Sequence, residues 1–152
     1  MAKLIATMNP VLDTECYYRF ATVSILKKLK IAGPAATSSV YSRYLNTLVL
    51  SAGVNPLCTF MEKEGFTVIV SNSDSKKLQG LNNSCIEGVE GKAQVEIADG
   101  NFARITLEVH SSLDAVGLTA AVSAVLTRAN ISADGVAGDF HGHIFLQEQR
   151  AV

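Results

Sequence analysis

A chain of 152 residues has room for one ordinary domain or two very small ones. Its apolar fraction of 48% can fill a core, and its charged fraction of 18% is low. A net charge of −1 lacks the basic excess of a nucleic-acid-binding protein, and no apolar run approaches the ~18 residues of a membrane span. Cys16, Cys58 and Cys85 have no close spacing, which argues against a disulfide framework or a zinc site and fits a reducing compartment. Met1–Pro10 is too short in apolar residues for a secretory signal, so a cytoplasmic protein is expected.

Tyr17–Ser24, aromatic and β-branched, reads as a strand, and the following residues 25–30, with Lys27, Lys28 and Lys30, are ambiguous. Gly33-Pro34 marks a loop. Ser38 or Ser39 caps a predicted helix running to Ala52, with Tyr41, Leu45, Leu48 and Ala52 on one face and Gly53 as its stop. Pro56 to Lys63 reads as short helical or irregular chain, and Glu64-Gly65 as a turn. Phe66–Ser71 alternates as a strand, Ser71–Ser75 breaks it, and one or two helical turns follow to Leu81. Residues 82–91 read as irregular. Lys92–Ala98 alternates again, and Asp99-Gly100 predicts a hairpin into the strand Ile105–Val109.

The segment after that strand carries the densest chemistry. Ser111, Ser112, Leu113, Asp114, Ala115, Val116, Gly117 and Leu118 form a polar turn that opens a helix, with Leu118, Val122, Val125 and Ala129 on one face and an end near Asn130. Main-chain N–H groups at the start of a helix suit a carboxylate. They are also satisfied by a capping box, for which Ser111 and Asp114 have the spacing, so both readings stand. A weak strand over Ile131–Gly138 and a strand over His143–Gln147 complete the chain.

Asp139, His141 and His143 form a second cluster. On a strand His141 and His143 share a face, and with His110 they offer a metal or acid–base reading beside the plainer one of a tight turn. A structural zinc site needs about four ligands, so no metal is expected. Glu62 and Glu64 read as an exposed turn, and Cys58, with no base near it in sequence, as a small buried side chain. Neither cluster has the Ser-centred pattern of a hydrolase.

Strand, helix, strand, strand in the second half is part of a ferredoxin-like βαββαβ layer, which needs one more helix and strand. Asp114-Ala115-Val116-Gly117-Leu118 and Asn130-Ile131-Ser132 resemble the ACT domain pattern of a strand, Asp-x-x-Gly-Leu, a helix and a second strand. Phe20-Ala21-Thr22-Val23, the segment Asn55-Pro56-Leu57 through Gly65-Phe66-Thr67, Ile105 through Ala120, and His143-Ile144-Phe145 are similar to small proteins with two ACT-like halves, akin to the regulatory part of aspartate kinases.

The resemblance implies an α+β, ferredoxin-like ACT-type sandwich. Its first half is residues 1–101, with residues 25–48 as an insertion; its second is residues 102–152, cut short at the C-terminus. It implies a non-catalytic regulatory protein that binds an amino acid or related metabolite, pairs as a homodimer and needs no cofactor. The expected ligand contacts are Ser111 through Leu118, Asp139 and His141. Two rivals remain: a dimerisation module with no ligand, and an enzyme using His110, Asp139, His141 and His143.

Overall fold

The computed structural model describes residues 9–26, 37–85, 91–108, 117–138 and 140–148. Seven strands and three helices are named among them: β1 Val11–Leu26, α1 Thr37–Ser51, β2 Cys58–Met61, β3 Phe66–Ser71, α2 Asn72–Gln79, β4 Lys92–Ile97, β5 Phe102–Glu108, α3 Leu118–Arg128, β6 Ala133–Ala137 and β7 His141–Gln147. The chain divides into two compact units. The first is Tyr18–Asp99; the second takes the chain up to Tyr17 and from Gly100 onward. Sequence alone drew the boundary after residue 101.

In the first unit the order β1–α1–β2–β3–α2–β4 is a complete βαββαβ, with its strands laid out as β2–β3–β1–β4. β1 runs antiparallel to β3, pairing Ala21 with Val68 and Val23 with Phe66, and antiparallel to β4, pairing Val23 with Val95. Strict alternation puts Ala21, Val23, Phe66, Val68, Val70 and Ala93 on one face, where they are buried with Leu45, Leu48 and Val49 of α1 and Leu78 of α2. Helix α1 lies largely within the stretch that the family resemblance set apart as an insertion. It is the first crossover of the unit, and its buried residues recur at i, i+3 and i+4.

Three local readings change. Pro56–Lys63 contains the strand β2, whose residues Cys58 to Met61 pair with Ile69 to Phe66, after Leu57 N–H donates to the Ile69 carbonyl at 2.8 Å. No alternation announces it, because the partner strand decides its state. Helix α2 starts directly at the end of β3: Ser71 Oγ accepts the Asp74 N–H at 3.2 Å, so the polar run read as a break is an N-cap. Asp74 in turn accepts Asn55 N–H at 3.0 Å and Lys77 Nζ at 2.6 Å, while Lys77 Nζ also donates to the Gly53 carbonyl at 3.1 Å. These bonds, the Lys77 one first, hold the Asp74 carboxyl below the usual range, and they tie the end of α1 to α2.

Asp99-Gly100 turns no hairpin. β4 pairs with β1, and β5 is flanked by β1 and β7. The two alternating runs read correctly as strands, but their partners are elsewhere in the sequence.

The second unit has the strand order β1–β5–β7–β6. The strand that its βαββαβ pattern lacked is supplied by the N-terminal part of β1, and Asp13 there pairs with Arg104 of β5 at 3.0 Å. Among the described residues this unit has a single helix, α3. β5 and β7 are antiparallel, with Ile105 opposite Ile144 and Leu107 opposite Gly142; β6 runs antiparallel along the other side of β7 and forms the sheet edge. Leu107, Ile105, Ile144 and Val122 of α3 pack together. Ala121 is buried, whereas Val125, expected on the inner face, is half exposed at 50%. The helix axis is rotated so that residues 122 and 126, not 125, turn inward.

Candidate functional site

The second unit contains a pocket of about 220 Å³ between α3 and the strands β5, β7 and β6. Thr119, Val122, Ser123 and Leu126 form its helical wall, one stripe at i, i+3, i+4 and i+7. Leu107 and Ile144 stand opposite, and its floor is made of the small residues Ala133, Gly135, Ala137 and Gly142. Val136 and His143 complete the lining. Register explains the floor. Ala137 pairs with Gly142 and Gly135 with Ile144, and alternation puts all of these on the face that carries Leu107.

Gly117 stands at the start of α3 as its N-cap, with φ +87°, a conformation glycine adopts without strain. The first bond of the helix runs from Ala121 N–H to the Gly117 carbonyl at 2.8 Å. The helix therefore opens at Leu118, and the capping box read at Ser111 and Asp114 lies outside the described residues. The amides that precede its hydrogen-bond ladder are those of Leu118, Thr119 and Ala120. Of the residues expected to touch a ligand, Ser111 through Val116 and Asp139 lie outside the described residues, as do His110 and Lys27, Lys28 and Lys30. Gly117 and the Leu118 backbone directly precede Thr119, the pocket residue nearest the start of α3.

His141 is exposed and does not line the pocket. Its ring stacks on that of His143, centroids 6.3 Å apart and planes 9° from parallel. Both belong to the sheet face that carries Arg104, Thr106 and Glu108, and Thr106 Oγ1 lies 3.2 Å from His143 Nδ1. Burial pushes the His143 imidazole below its usual pKa, with Arg104 and His141 adding to the effect. The folded unit then binds fewer protons here than the unfolded chain. His143 stabilises it fully above the ordinary histidine range, about pH 6.5, and that contribution is lost as pH falls below it. Thermal melts between about pH 7.5 and pH 5.5 should therefore show a smaller fall in midpoint for His143→Gln than for the parent chain. Parallel falls in the two proteins would assign the acid sensitivity to other groups.

Among the described residues no group of three or more His, Cys, Asp or Glu is placed to hold a metal ion. Cys58 is half buried and its thiol pKa is pushed up by that burial, which disfavours the thiolate a nucleophile needs. Glu62 and Glu64 are exposed, and Glu62 accepts the Thr67 hydroxyl across the β2–β3 turn. The pocket was not legible as a site because its distinguishing residues are those with little or no side chain. The available signal was the pair of glycines in strand positions, Gly135 and Gly142, where glycine weakens a strand and often marks a close approach.

Among the described residues no helix is long and apolar enough to cross a membrane. No protein-family model matches the chain, and no curated protein matches it. Solved structures do. The regulatory subunit of aspartate kinase from Thermus thermophilus superposes with a TM-score of 0.65 at 8% identity, over 93% of this chain and 88% of that one. Aspartokinase III of E. coli, solved in complex with aspartate and ADP, gives 0.59 at 15% identity over 91% of this chain and 29% of the kinase. Both likenesses are of fold: a mixed α+β, ferredoxin-like arrangement of the kind found in aspartate kinase regulatory domains. A Vibrio cholerae protein of unknown function, described as a possible transport protein, is 33% identical over 95% of this chain and 81% of its own, with a TM-score of 0.57. With that identity over nearly its whole length, this chain belongs to the same family as the Vibrio cholerae protein.

Proposed function

We propose that the chain is a non-catalytic regulatory protein of the ACT type that binds an amino acid or related small metabolite and acts as a homodimer in the cytoplasm. The observation that carries this reading is the pocket whose lining reaches the first turn of α3 at Thr119, in a chain whose fold is like that of aspartate kinase regulatory domains. A ligand carboxylate is drawn to the amides that open α3, where the helix dipole favours negative charge. The rest of the ligand enters the pocket beneath the helix. Binding then favours whichever arrangement of the protein closes the pocket, which is how a binder without chemistry transmits a signal. The free thiols Cys16, Cys58 and Cys85 suit a reducing compartment.

Thermal melts of the whole chain against each of the twenty amino acids test the reading. A ligand present at a hundred times its dissociation constant adds about 2.7 kcal/mol to stability, a clear rise in midpoint. A flat response across the panel at saturating concentrations would leave the dimerisation module as the better account, and the mass in solution, read alongside, tests the pairing.

A further inference from the structure

The pocket beneath α3 carries more than a place; its lining states a preference. The aliphatic residues Leu107, Val122, Leu126 and Ile144 surround a floor of alanine and glycine. The hydroxyls of Thr119 and Ser123, one turn apart on the helix, are the polar groups of its wall, and no Asp, Glu, Lys or Arg is among the lining residues. A charged side chain buried against this lining loses its hydration and gains no partner of opposite sign.

Gly135 supplies an independent indication. Its backbone lies outside the left-handed region, and a Cβ built on it meets nothing within 4 Å among the described residues. Steric need therefore does not account for this glycine. A strand position facing Leu107 and Ile144 favours a β-branched residue that would cover them, and glycine there weakens the strand. The omission leaves open the middle of the pocket floor. At about 220 Å³ the space falls below the ~300 Å³ of sites for drug-sized ligands, so its guest is small.

From these features we infer that the pocket selects a small molecule with a neutral, branched aliphatic body, the size of a leucine, isoleucine or valine side chain. The body rests over Gly135 and Gly142 and the polar head lies by Thr119. The inference rests on the regulatory reading above and adds the class of ligand to it.

The test is calorimetric titration and thermal melting of the full chain with L-leucine, L-isoleucine and L-valine against L-aspartate and L-lysine, repeated on Gly135→Leu. The added side chain has open space to enter, so the unliganded variant melts at or above the parent's midpoint. It fills the volume the ligand needs and should weaken binding about tenfold or more. Ala133→Val, a smaller intrusion two residues along the same floor, should weaken it less and serves if Gly135→Leu does not fold. Binding of the aliphatic amino acids that is lost on filling the floor supports the assignment. Binding of aspartate or lysine that survives Gly135→Leu overturns it while leaving the regulatory reading intact. No heat and no midpoint shift with any of the five overturns the aliphatic assignment, and silence from the remaining amino acids as well removes the regulatory reading with it.

Discussion

Replacing Leu45 with alanine should remove about 2–5 kcal/mol from the stability of the first unit. Leu45 is fully buried at the centre of α1, in the cluster formed with Val23, Val49, Phe66, Val68 and Leu78. Truncation forfeits the transfer energy of the removed carbons and leaves a cavity between a helix and a sheet held by two strand ladders, where collapse is limited. Urea titration followed by circular dichroism should show a lower midpoint with an unchanged slope. Asn46→Ala, one residue along on the exposed side, should stay within about 0.5 kcal/mol of the parent. A Leu45→Ala protein as stable as Asn46→Ala would mean that α1 is an appendage, as an insertion would be, rather than the first crossover of the unit.

That helix also shows where the sequence was informative. Its apolar spacing, and the alternation in Phe66–Ser71, Lys92–Ile97 and Ile105–Glu108, were legible because each element buries chiefly one face, although Ile69 on the other face of β3 is buried as well, and burying one face imposes a period. β2 was not legible: Cys58, Thr59, Phe60 and Met61 show no period, and pairing with β3 sets their conformation. β1 was read as eight residues and is sixteen, because its two ends serve two different units and its N-terminal part, unlike Ala21–Ile25, does not alternate cleanly. The hairpin at Asp99-Gly100 failed for a related reason. Turn chemistry reports a local bend, whereas β4 and β5 find their partners far along the chain. The candidate site divides in the same way. The opening of α3 at Gly117 was written in residues with recognisable roles, but the pocket beside it was written in side chains that are absent.

Gly65→Ala should cost the first unit about 1–3 kcal/mol, although it adds only one methyl group. Gly65 is buried at the end of the β2–β3 turn, where its carbonyl accepts the Glu62 N–H at 2.8 Å. A Cβ on it would sit 2.8 Å from the Val23 carbonyl oxygen, 3.0 Å from Thr22 Cγ2 and 3.2 Å from Ser24 Cβ. The first of these is backbone of β1 and has no rotamer to yield. Relief requires β1 and β3 to separate where Val23 pairs with Phe66, which disturbs a rung whose two side chains are both core residues. Gly53→Ala is the control. Gly53, after α1, has φ +67° but nothing within 4 Å of its missing Cβ, so alanine there meets backbone strain of about 1 kcal/mol and no collision. Urea titration of the two variants should rank Gly65→Ala as the less stable, and hydrogen exchange should show faster opening at the Phe66 amide in that variant alone. The reverse order would show that the turn moves as a body away from β1, and that close approach of the two backbones at Gly65 is not what sets the register of β3.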